Sequence, residues 1–146
     1  MCNATEHAAS LAPSAWVERF ATGLEPGTAL DLAAGGGRHA RILLAAGHRV
    51  TAVDRDVSAL KAIADPRLEM MAIDLEDGSP WPLGGRRFDL IVVTNYLHRP
   101  LMPPLLGALA AGGMMIYETF AIGNERFGKP SNPAFLLQPG ELLDWA

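Results

Sequence analysis

Cysteine is all but missing from this sequence: Cys2 stands alone among 146 residues. A single cysteine excludes an internal disulfide and any thiolate metal cage. The four histidines follow no metal-site spacing, and no Ser–His–Asp set can be argued from position, so no metal is expected. No apolar run is long enough to span a bilayer, and no basic stretch followed by an apolar core opens the chain. Repeats, charge runs and low-complexity segments are lacking too, and proline and glycine are scattered as turn punctuation without forming a linker. There is no basic excess: the net charge is −4 and the pI near 5.5, which argues against a nucleic-acid phosphate partner. What is left is a chain 49% hydrophobic and long enough for one core, hence a single domain over residues 1–146. A soluble cytoplasmic protein, with no membrane partner and a loose start over residues 1–12, is the simplest expectation.

The informative stretch runs from Thr28 to Asp54. A short apolar run, Ala29-Leu30-Asp31-Leu32, turns through Ala33-Ala34-Gly35-Gly36-Gly37. A helical pattern follows on Ala40, Ile42, Leu43 and Ala46, and Gly47 ends it. Arg49 to Asp54 reads as a second strand closing on a carboxylate. Strand, glycine turn, helix and strand make a βαβ unit suited to a nucleotide-like ligand. Glycines let backbone N–H groups approach such a ligand, and a helix N-terminus favours negative charge. Gly35 to Ala40 also fits the dinucleotide pattern G-x-G-x-x-A, which keeps an NAD-dependent oxidoreductase as an alternative. Asp31 favours the other class. A carboxylate just before the glycines repels a pyrophosphate and attracts an ammonium, so an adenosine cofactor with an amino-acid tail fits better.

Asp31-Leu32-Ala33-Ala34-Gly35-Gly36-Gly37 resembles the D-x-G-x-G-x-G motif of class I S-adenosylmethionine-dependent methyltransferases. It departs from that motif at the first glycine, which is Ala33. A methyl group is accommodated there if the backbone angles are ordinary, and it narrows the pocket. The resemblance implies an α/β fold with a doubly wound, mostly parallel, Rossmann-like sheet of order 3-2-1-4-5. It implies S-adenosylmethionine as cofactor, its methionine part at Asp31 and the Ala33 to Gly37 turn, its ribose at Asp54 with Arg55 beside it, and its adenine at Asp74 and Leu75. Asn95 completes that set.

Along the rest of the chain, Pro13-Ser14-Ala15 opens a helix with Trp16, Val17, Phe20 and Leu24 on one face, packed on the sheet or, for Trp16 or Phe20, covering the cofactor cleft. Val57 to Ala64 is expected as a helix stopped by Asp65-Pro66. Leu68 to Ile73 is a third strand, and Glu76 to Leu83 an irregular loop with Trp81 as a plug. Phe88 to Val93 is a continuous apolar run of the kind buried in parallel sheets. It resembles the family's fourth strand, whose end faces the reactive methyl. Pro103-Pro104 open a helix through Leu109, closed by Gly112-Gly113, and Met114 to Phe120 is the fifth strand. Residues 121–146 read as a substrate-side loop and a truncated helix, with strands 6 and 7 of the family missing. The Tyr117-Glu118-Thr119-Phe120 run and the later Gly-Lys-Pro-Ser-Asn-Pro passage resemble a bacterial subgroup near the tellurite-resistance methyltransferases. Strand five is then left as an open edge, which a homodimer would cover.

Thr94 to Pro100 supplies the candidate chemistry, a polar cluster directly after a buried strand. Methyl transfer is an in-line displacement governed by positioning, with a base needed only for a protonated acceptor. His98 is the candidate base and Tyr96 orients the acceptor, which is expected to be a small molecule; Arg99 neutralises an acidic one. A bare capping role for His98 is the alternative, as is a non-catalytic cofactor-binding or interaction domain for the whole chain. His39 is expected in the first helical turn near the cofactor tail, and His7 and His48 at the surface.

Overall fold

Thr28–Leu32 (β1) is the axis of the sheet, with a parallel neighbour on each side. The computed structural model describes residues 12–146; most of the loose N-terminal segment, with Cys2 and His7, lies outside the described residues. Arg49–Asp54 (β2), Leu68–Ala72 (β3), Phe88–Thr94 (β4) and Leu109–Glu118 (β5) complete five parallel strands in the order β3-β2-β1-β4-β5. This is the expected order. Apolar residues on both sides of β1 and β4 are what a doubly covered parallel sheet requires.

Alternation along β1 divides the core in two. Ala29, with Val50, Leu90 and Val92, packs under helices Ala15–Ala21 (α1) and Arg38–Ala45 (α2), which contribute Val17, Ala21, Ala40 and Leu43. Leu30 and Leu32 face the other side, against Phe88, Ile91, Val93 and the Met102 and Leu105 side chains of Met102–Gly107 (α3). Trp81 is half-buried against that second cluster, the plug expected of it. A last short helix, Glu141–Trp145 (α4), follows a looped segment joined to the sheet side by a bridge between Ala121 and Leu137.

Three local expectations are corrected. The segment after β2 forms only a 3₁₀ turn, Ala59–Ala62, because Asp56 binds the Ser58 N–H and the chain is extended again at Ile63, before Pro66. α1 starts where the sequence places it, capped by the Ser14 hydroxyl, but it ends at Ala21, so Leu24 lies beyond it and Trp16 remains half-exposed against Phe20. The helix opened by Pro103-Pro104 stops at Gly107, and Gly112-Gly113 sit inside β5. They are where that strand bulges, its register jumping from Phe88↔Leu109 to Leu90↔Met114. Gly112 has φ +75°, and a Cβ on Gly113 would meet the carbonyl oxygens of Ala110 at 2.9 Å and Asp89 at 3.0 Å.

Candidate functional site

Where β1 ends, the chain turns through three left-handed residues: Ala33 at φ +59°, Gly35 at +56° and Gly37 at +86°. Ala34 N–H donates to the Val53 carbonyl at 2.9 Å, tying the turn to β2. Gly35 and Gly36 have nothing within 4 Å of where a Cβ would stand, so this stretch of backbone faces open space. Gly37 is different. A Cβ there would lie 2.7 Å from the Leu60 side chain and 2.9 Å from that of Ile63, so the left-handed backbone and the close 3₁₀ turn together favour glycine.

Ala33 does not meet the condition of ordinary backbone angles under which its methyl group is accommodated. An L-residue in the left-handed region carries about 1–2 kcal/mol of strain, partly offset in glycine by its chain entropy. Ala33→Gly should therefore stabilise the protein by about 0.5–1 kcal/mol, read from the urea midpoint at constant slope. Because Ala33 lines the cleft, the same change widens it.

Asp31 is almost fully buried and faces the first turn of α2. Gly37 has no side chain with which to cap that helix, and the Asp31 carboxylate lies near enough to the Ala40 N–H for that group to lower its pKa. The second oxygen, Oδ2, has no partner among the described residues. Burial pushes this carboxyl up to about 7; the Ala40 N–H pulls it down, the nearby Asp54 charge pushes it up and Arg38 pulls it down. A buried acid with an unsatisfied oxygen beneath a glycine turn departs from the rule that buried polar groups are paired.

Beside the turn, at the C-terminal ends of β1–β3, lies a cleft of about 200 Å³. Ala33, Asp54 and Arg55 form one side of it; Ile73, Asp74, Leu75, Glu76 and Tyr96 form the other. Asp54 Oδ2 accepts the Gly35 N–H at 2.9 Å and Oδ1 the Asp56 N–H at 3.0 Å, which fixes the carboxylate while leaving each oxygen a free lone pair. Asp74 Oδ1 accepts the Glu76 N–H at 2.9 Å, turning Glu76 back toward Tyr96. Asn95, also left-handed at φ +55°, lines not this cleft but a neighbouring cavity of about 290 Å³. Glu76 and Tyr96 belong to both, forming the wall between them.

That wall is a small network. Tyr96 Oη donates to Glu76 Oε2 at 3.2 Å, and His98 Nδ1 lies 3.5 Å from Glu76 Oε1. Burial and the Glu76 charge push the Tyr96 phenol well above its ordinary range, so it remains a donor. Tyr117 Oη in turn donates to the Tyr96 carbonyl at 2.6 Å. His98 opens the next 3₁₀ turn without capping it through its side chain. The sequence singled out Tyr96 and His98 but missed Glu76, whose only local signal is its place two residues after the acid ending β3.

Three other residues have different surroundings from those expected. Arg99 grips Glu141 with Nε at 2.6 Å and Nη2 at 2.9 Å, and also donates to the Ala134 and Leu136 carbonyls; it is a structural clasp on the C-terminal segment. His48 is buried, not at the surface, with Nδ1 accepting the Gly27 N–H at 3.1 Å. His39 lies in the first turn of α2 as expected, but it is buried and engaged. It accepts the Ser14 N–H at Nε2 (2.9 Å), and its Nδ1 lies 3.3 Å from the Thr94 hydroxyl. Burial, then the Arg38 charge, lowers its pKa to about 4. Neither Trp16 nor Phe20 lines the cleft. A larger cavity, about 660 Å³ among Arg49, Arg67, Arg86 and Arg87, lies at the N-terminal ends of the strands, the opposite end from that used by ligands of open α/β sheets.

A five-stranded parallel sheet of order 3-2-1-4-5 with a glycine turn after its central strand defines the Rossmann-like methyltransferase fold. The family described as methyltransferase domain matches residues 30–104, just over half the chain, and the chain belongs to that family. Among solved structures it is similar to the glycopeptide N-methyltransferase MtfA complexed with S-adenosylmethionine: 26% identity, TM-score 0.54, covering 69% of this chain and 51% of that one. It is similar in fold to 1,6-didemethyltoxoflavin-N1-methyltransferase from Burkholderia thailandensis with S-adenosylhomocysteine bound (22%, TM-score 0.59, 83% and 66%). A third is a putative methyltransferase from an antibiotic biosynthesis pathway of Anabaena variabilis (18%, TM-score 0.64, 84% and 54%). The chain thus spans about half to two thirds of the length of these structures. No curated protein matches it.

Proposed function

We propose that this chain binds S-adenosylmethionine and directs its methyl group to a small-molecule acceptor. The observation carrying this reading is the acidic cleft beside the glycine turn, backed by the unpartnered buried oxygen of Asp31. Asp54, Asp74 and Glu76 set against the single Arg55 make a cleft that suits a cationic cofactor and opposes a pyrophosphate. Asp31 answers the methionine ammonium, with Ala33 and Gly35 to Gly37 offering close backbone approach. Asp54, with Arg55 beside it, takes the ribose hydroxyls, and Asp74 with the Leu75 N–H takes the adenine. Asn95 closes the far side, toward the acceptor. When bound, the cofactor supplies a methyl group activated by its sulfonium.

The chain's own part is positioning and proton removal. Tyr96 orients the acceptor through its hydroxyl, and His98 receives a proton from acceptors that carry one, with Glu76 holding the resulting imidazolium. The Tyr117 to Phe120 passage supports kinship with the tellurite-resistance subgroup. Among the described residues no helix is long and apolar enough to cross a membrane.

Asp54→Ala should weaken S-adenosylhomocysteine binding at least about tenfold by calorimetry and lower stability by only about 2 kcal/mol, the value of the two lost bonds from the Gly35 and Asp56 N–H groups. Unchanged affinity would sink the ribose assignment. The outer edge of β5 carries no strand in the described residues, and Met114 is partly exposed on that strand. A second copy covering this edge is part of the proposal, and a monomer by sedimentation at 100-fold varied concentration would remove it.

A further inference from the structure

The 290 Å³ cavity beside the cleft combines two features: a body of apolar and aromatic side chains and one carboxylate. Phe120, Phe135 and Tyr96 line it, Leu97 and Pro130 add apolar wall, Asn95 and Thr119 add neutral polar groups, and Glu76 contributes the charge. Phe135 is 45% exposed, a large apolar side chain left partly in water at the cavity. Arg99 is committed to Glu141, so the side chains that reach Glu76 are the Tyr96 hydroxyl at 3.2 Å and His98 Nδ1 at 3.5 Å, with no arginine or lysine among the described residues of the cavity wall. An anionic ligand would meet the Glu76 carboxylate with no arginine or lysine of the described wall to receive it; a neutral one would leave its remaining lone pairs unused. A cation bearing an apolar body satisfies both features, since aromatic faces and a carboxylate together are what recognise an ammonium.

We infer that this cavity takes an ammonium-bearing acceptor with an apolar or aromatic body, held by Glu76 and ringed by Tyr96, Phe120 and Phe135. The inference deepens the methyl-transfer reading and rests on it only for the word acceptor; the cavity's charge preference stands alone. Because Glu76 also lines the cofactor cleft, the ammonium is held at the boundary between the two cavities.

Three probes of one shape test this: 2-phenylethylamine, 2-phenylethanol and 3-phenylpropionate, titrated into the full chain with and without S-adenosylhomocysteine and followed by amide NMR. The amine should bind at least about tenfold tighter than the alcohol, with the carboxylate weakest and shifts centred on Asn95, Leu97 and Thr119. Glu76→Gln should erase the amine's advantage while leaving the alcohol unchanged. Phe135→Leu, which keeps the apolar bulk, should weaken the amine more than the alcohol. Equal binding of amine and alcohol, binding of no probe, or an amine affinity untouched by Glu76→Gln would overturn the inference. Failure of S-adenosylhomocysteine to bind would count against the methyl-transfer reading alone, since the probes are also measured without it.

Discussion

Asp31→Asn should make the protein about 3 kcal/mol more stable at pH 8 and at least about tenfold weaker in binding S-adenosylhomocysteine. A carboxyl raised from 3.8 to about 7 by burial destabilises the fold by roughly 4 kcal/mol once fully ionised. Asparagine keeps an oxygen near the Ala40 N–H and removes the charge, at the cost of about 1 kcal/mol for an amide with no partner. The sign follows from proton counts. Between about 4 and 7 the folded protein holds a proton on Asp31 that the unfolded chain has released, so this group's contribution falls as pH rises. The gap between variant and wild type should open from near zero at pH 4 and level off above pH 7. Near 150 residues, 3 kcal/mol corresponds to about 10 °C in melting temperature.

His39 reverses that slope over nearly the same range. Its pKa falls from 6.5 to about 4 on folding, so its contribution is fully present above 6.5 and is lost as pH falls toward 4. From about 4 to 6.5 the two groups almost cancel, and for this pair the wild-type stability profile should be nearly flat. Asp31→Asn unmasks the histidine, and its melting temperature should climb with pH through that window. A variant that follows the wild-type profile in parallel would show that Asp31 is ionised in the folded protein at acid pH.

Arg99→Ala should cost about 2–3 kcal/mol and free the C-terminal segment while the sheet stays intact. Its guanidinium makes two bonds to Glu141 and two to the carbonyls of Ala134 and Leu136. Glu141 would retain only the Gln138 N–H, with its side chain just 13% exposed. Limited proteolysis should then cut between residues 128 and 140 at a rate the wild type does not show. Lysine should not restore protection, because a point charge cannot reproduce the planar fork. Phe135, held by this clasp, lines the cavity next to the cleft, so the variant should also lose binding there.

β1, β2 and β4 were legible in the sequence because a strand buried on both faces declares itself as an apolar run, and the glycine turn after β1 gave the direction of reading. The edge strands β3 and β5 are largely exposed or half-buried, and β5 begins at Leu109, not at the expected Met114. Helix lengths were less legible. The segment after β2 has helical spacing, yet Asp56 and Pro66 leave room for one turn only. Gly112-Gly113 resemble a helix stop, but they serve a bulge whose need is set by Asp89 on the neighbouring strand. Residues misread at the site share one cause, a partner distant in sequence: His48 with Gly27, Arg99 with Glu141, His39 with Ser14. Glu76 was hidden in a polar loop, and only folding sets it against Tyr96. Ala33 was noticed as a departure from the glycine pattern, though its left-handed backbone could not be read from its neighbours.

The strand order has a consequence for how the chain emerges from the ribosome. β1 acquires β2 within some twenty residues, but its other neighbour, β4, is complete only at Thr94. At 5–20 residues per second, the roughly 60 residues in between take about 3–12 s to make. During that interval the Leu30 and Leu32 side of the half-built sheet lacks Ile91, Val93 and Met102, and one flank of β1 has no hydrogen-bonding partner. The nascent chain therefore passes through a stage in which its central strand is open on one edge, and a chaperone that shields apolar strands would act in that interval.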